Sequence, residues 1–126
     1  MLTEIRKKEV LIALSDQLDS RATEINQYMF DLTASLTSET KSTAGDKHDT
    51  GRAMIHLEQE KLQHQVQEIQ LQLQRIRALQ HSEKLDGGVG FGSFIKAGQF
   101  YFLIGIGMGK QLVNGHIVYC VGSLRY

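Results

Sequence analysis

The chain contains no proline, no tryptophan and a single cysteine, Cys120. Without proline, nothing in the covalent chain stops a helix from running for many turns. One cysteine excludes an internal disulfide and any metal site built from several thiolates. Net charge is lacking too, because 14 basic and 14 acidic side chains cancel. No global field therefore holds the protein on nucleic acid or an anionic membrane. No stretch approaches the ~18 apolar residues of a membrane span, and "MLTEIRKKEV" lacks the apolar core of a secretory leader. A cytoplasmic protein is expected. Its 126 residues suffice for one ordinary domain or two small ones.

Glycine and aromatic residues are scarce in only one part of the chain. Residues 1–85 carry two of the 12 glycines, Gly45 and Gly51, while residues 86–126 carry ten, with seven of the nine aromatics. The shift at "LDGGVG" (residues 85–90) marks a boundary. The Gln-rich stretch "LQHQVQEIQLQLQRIRALQ" keeps its apolar residues at helical spacing, so it is a helix with a polar outer face rather than low-complexity sequence.

What is present before the boundary is a pair of heptad seams. Apolar residues fall at Leu11, Leu18, Ala22, Ile25, Met29, Leu32 and Leu36, and again at Ile55, Leu62, Val66, Ile69, Leu73 and Ile76. From Leu18 and from Leu62 the steps alternate four and three, the spacing of a coiled-coil seam. The seams mirror each other. Leu36 with Ile55, Met29 with Leu62, Ile25 with Val66, Ala22 with Ile69 and Leu18 with Leu73 all have numbers summing to 91. An antiparallel hairpin requires a constant sum, and half of 91 falls between Gly45 and Asp46. Leu32 then faces Gln59, expected at the seam edge with its amide in solvent. At ~1.5 Å per residue the hairpin extends roughly 50 Å.

The predicted tip, "ETKSTAGDKHDTGRA" (residues 39–53), places Asp46 where the N-cap of the second helix is expected and Asp49 three residues later. That spacing is a capping box with Asp in the third position, and acids there suit the positive end of the helix dipole. Gly45 supplies the turn. The same two carboxylates, carried into a cleft of another protein, would offer hard oxygen ligands to a Mg²⁺ held weakly by that partner. His48, His56 and His64 recur every eight residues, too far apart for a metal pair on one helix, and are read as solvated.

A long antiparallel hairpin with "GD-x-x-[DE]" at its tip, followed by a small β-rich unit, resembles the bacterial Gre transcript-cleavage factors, whose tip is similar to "GDLxENAEY". Gly45, Asp46 and Asp49 match. Thr50, Gly51, Arg52 and Ala53 depart from that pattern. The resemblance implies a protein that inserts its hairpin into the secondary channel of RNA polymerase. There Asp46 and Asp49 would help hold the polymerase's catalytic Mg²⁺ and support cleavage of backtracked RNA, in indirect contact with the transcript 3′ end. It implies no independent enzyme activity, no intrinsic cofactor, no membrane and no small-molecule substrate. Two alternatives stay open: a channel regulator that does not stimulate cleavage, with Arg52 pairing an aspartate, and a structural coiled-coil adaptor whose aspartates only cap a helix.

Beyond the boundary, residues 91–95, 100–106 and 117–121 are rich in aromatic and β-branched residues, with turns at "KAGQ" (residues 96–99) and at the Asn-Gly of "VNGH" (residues 113–116). The fold class expected is α+β: a hairpin over residues 1–85 with its tip near 40–50, then an antiparallel meander of three or four strands over 86–126. "GVGFGSFI" resembles the start of the FKBP-like C-terminal domain of Gre factors. About 40 residues lie at the limit for an independent core, so the sheet must pack on the hairpin base, dimerise or belong to a truncated chain. "GIGMGK" (residues 105–110) lacks the Walker spacing and a following helix, so its glycines are assigned to strand ends or bulges. Cys120 is expected to pack as a small apolar strand residue.

Overall fold

The computed structural model describes residues 4–40, 45–82 and 89–122, with the side chains of 37–40 and 45–50 outside the description. The described part is α+β. Two long helices, α1 (Lys7–Thr40) and α2 (Gly45–Gln80), pack together, and four strands follow: β1 (Phe94–Ala97), β2 (Phe100–Ile104), β3 (Gly109–Val113) and β4 (His116–Val121). The chain divides into two compact units. One, here the hairpin unit, is Leu18–Gln70; the other, the sheet unit, joins Met1–Gln17 to Leu71–Tyr126.

In the hairpin unit, burial follows the mirrored heptads. Between residues 18 and 36 the only positions not exposed are Leu18, Ala22, Ile25, Met29, Leu32 and Leu36. On α2 the shielded stripe is wider, because Glu58, Gln59 and Gln65 flank Ile55, Leu62, Val66 and Ile69. The amide of Gln59 lies in an exposed position at the seam edge, as expected, and finds a partner there. Its Nε2 donates to Thr33 Oγ1 (3.0 Å), and that hydroxyl donates to the Met29 carbonyl (3.0 Å). A neighbouring hydroxyl across the seam thus supplies the partner within a residue of the predicted register.

The sheet overturns the expected antiparallel meander. Its strand order is β1-β2-β4-β3, with β2 and β4 parallel and the outer pairs antiparallel. The Asn-Gly hairpin forms as expected, with Asn114 and Gly115 both at positive φ (50° and 84°). However, β4 slots between β2 and β3 rather than outside β3. The reason lies in strand character. "FYFLI" and "HIVYCV" are the apolar strands and take the interior, while "FIKA" and "GKQLV", each carrying a lysine, take the edges. Residues 105–108 bridge two strand spacings, about 9.6 Å at ~4.8 Å each. Gly105 N–H bonds the Val121 carbonyl at 2.8 Å on the way.

The first strand also starts later than expected. Phe91 and Gly92 form a turn (Gly92 φ 87°), closed by Ser93 N–H to Gly90 O and by Gly90 N–H to Ser93 Oγ, both 3.0 Å. The core of this unit sits between one sheet face and the helix ends. Tyr101, Leu103, Val118 and Cys120 share that face, and Val10, Leu11, Leu14, Ile76 and Leu79 are buried with them. Two glycines of "GIGMGK" serve strand ends: Gly105 (φ 131°) follows β2 and Gly109 (φ 70°) opens β3.

Candidate functional site

α1 ends at Thr40 and α2 begins at Gly45. Asp46 and Asp49 therefore lie inside the first turns of α2 rather than with Asp46 at its cap. Acidic residues in that turn still complement the exposed N–H groups and the dipole. The aspartate side chains, His48 and any pairing with Arg52 lie outside the described residues. Arg52 itself is half-buried, and its Nε is shielded without a hydrogen-bond partner among the described residues.

His56 and His64 are exposed on α2. Among the described residues no group of three or more His, Cys, Asp or Glu side chains converges as a metal site would, and no helix is long and apolar enough to cross a membrane. Cys120 is free and buried in β4. Burial pushes its thiol up to about 11. The folded chain is expected to resist a thiolate-trapping reagent at about pH 8, where an ordinary thiol is already partly ionised, and to react fully in denaturant. The linked effect on stability has a definite sign. The folded thiol holds its proton where the unfolded one has lost it, so stability falls as pH rises from about 8.5 towards 11. Thiol titration of native and denatured protein checks both statements.

Two polar arrangements in the sheet unit were not foreseen. Lys96 Nζ donates to Glu4 Oε1 at 2.6 Å, beside a cleft of about 390 Å³ whose wall includes Tyr101 and His116. The lysine holds the Glu4 carboxyl below its usual range, and the carboxylate raises the Lys96 ammonium. Tyr101 stacks on Phe94 (5.2 Å) and meets the His116 ring edge-on (5.4 Å). Lys7 Nζ donates to Ser82 Oγ at 3.0 Å, and burial lowers its basicity. Partners separated by 92 and 75 residues leave no local signal in the sequence.

An α+β protein with a helical hairpin and a small mixed sheet is the class these elements define. No family model, characterised protein or solved structure matches the chain.

Proposed function

We propose that the protein is a Gre-like accessory factor of RNA polymerase, entering the secondary channel with the end of its hairpin. The observation that carries this reading is the position of the acidic pair. Mirrored seams centre on residues 45 and 46, and α2 begins at Gly45, so Asp46 and Asp49 stand in its first turns. On this reading they complete the oxygen shell of the polymerase's Mg²⁺ and orient water for cleavage of backtracked RNA. The chain supplies positioning and charge, and the polymerase supplies the reaction. The sheet, opening with "GVGFGSFI", corresponds to the start of the FKBP-like domain, in a mixed rather than antiparallel arrangement.

Arg52, standing where the family carries an acid, favours a second form of the reading. A cation three residues from Asp49 stabilises the carboxylate's charge and competes with metal for it. The protein then occupies the channel and restrains cleavage. The test is purified protein added to a stalled, backtracked polymerase complex. Faster cleavage is expected, and Asp46→Asn is expected to remove at least about tenfold of that stimulation, or ~1.4 kcal/mol of barrier lowering, with an unchanged helical spectrum. Binding with slower cleavage selects the restraining form. Failure to bind polymerase, together with full tolerance of Asp46→Asn, leaves a structural hairpin whose aspartates only stabilise a helix end.

A further inference from the structure

The sheet has two apolar faces, and the helices cover one. On strands with a solvated side, alternate residues are polar. Here the outward positions of β1, β2, β4 and β3 include Ile95, Phe102, Ile117, Tyr119, Val121 and Leu112. Leu112 is 74% exposed, and the only charge among the outward positions is Lys110. At the centre, Tyr119 is clamped by two rings: Phe102 stacks on it at 5.4 Å and Phe100 meets it at 5.8 Å and 64°. Aromatic side chains held in place by neighbours lose little freedom on contact and are the usual anchors of interfaces.

We propose that this outer face joins two copies of the chain, sheet against sheet, about a twofold axis. Its size and chemistry select that occupant. Four strands of four to six residues cover about 19 by 17 Å at ~4.8 Å between strands and ~3.3 Å per residue. With side-chain relief this is roughly 500 Å² of accessible surface, near the upper end of what a monomer leaves open. Two such faces bury on the order of 1,000 Å², the lower bound for a specific interface. A face with one peripheral charge offers no complementary pattern to a charged partner. Against itself, a twofold axis needs only a flat apolar patch. Two twisted sheets then stack ~10 Å apart, with strands about 30° from aligned. The contact also gives the outer face of the sheet the cover that the helices give the inner one. It does not depend on the polymerase reading.

Sedimentation equilibrium of the full chain from about 1 to 200 µM tests the proposal. The expected mass is twice the 14.2 kDa of the chain. Leu112→Lys and Tyr119→Lys are each expected to weaken association by about 100-fold or more, with far-UV and near-UV circular dichroism checking that the fold persists. Leu112 is exposed in the single chain, so its lysine variant tests the face even if Tyr119→Lys fails to fold. Lys110→Ala is expected to leave the dimer intact. A mass of 14.2 kDa at every concentration overturns the proposal. So does a dimer that survives Leu112→Lys with unchanged affinity. Assemblies larger than a dimer, the mark of edge-to-edge strand addition, overturn it as well.

Discussion

Gly105→Ala is expected to destabilise the protein by about 2–4 kcal/mol, because backbone strain and overpacking act at the same atom. Gly105 adopts φ 131°, a conformation that a residue with a Cβ rarely takes. A methyl group built there would stand 2.6 Å from Leu79 Cδ2 and 3.0 Å from two carbons of the Phe91 ring. Leu79 is fully buried and cannot swing into solvent. Gly105 also bonds with both its backbone polar groups, to Val121 O at 2.8 Å and from Arg75 Nη1 at 3.4 Å, so the chain cannot move aside without breaking them. Urea unfolding measures the loss as a lower midpoint with an unchanged slope. Leu79→Ala in the same chain removes the closest steric contact and leaves the φ part and the contact with Phe91. The double variant should therefore lose less than the two single changes added together. Strict additivity would show that Leu79 is not what Gly105 makes room for.

Leu103→Ala is expected to cost about 2–5 kcal/mol, the range for deleting a fully buried leucine. Leu103 has no exposed surface, sits in β2 between Phe94 of β1 and Cys120 of β4, and faces the helix-covered side of the sheet. Its neighbours belong to strands on both sides, so a void there cannot be filled by moving one flexible loop. Leu112→Ala on the outer face is the control. Leu112 is mostly exposed in the single chain, so its truncation should change the unfolding free energy of dilute protein by no more than ~0.5 kcal/mol. Thermal or denaturant melts of the two variants at low concentration make the comparison.

These expectations draw unequally on sequence and structure. The helices were legible because a heptad is a local pattern. Leu18, Ala22, Ile25, Met29, Leu32 and Leu36 announce one face of α1, and those positions are the shielded ones. The mirrored partner seam is likewise a property of residue numbers, and by itself it sets the expected turn between Gly45 and Asp46. Asp46 and Asp49 were legible as an acidic pair beside the turn. Their displacement into the first turns of α2 was not, since a helix start shifts by a residue or two with the geometry of the preceding turn. For Gln59 the register was legible and the hydrogen-bond partner was not, because Thr33 lies one position off the seam.

By itself the sequence determined the two helices, their mirrored seams, the Asn-Gly turn and the confinement of glycine and aromatic residues to the sheet. Each is written in spacing or in residue chemistry over fewer than about ten neighbours. Tertiary structure alone decided that β4 lies between β2 and β3, that Gly105 must stay without a side chain, and that Lys96 meets Glu4 and Lys7 meets Ser82. These depend on which distant segments compete for the same space. Two apolar strands take the interior and two lysine-bearing strands take the edges, an outcome of burial summed over the whole sheet rather than of any local pattern.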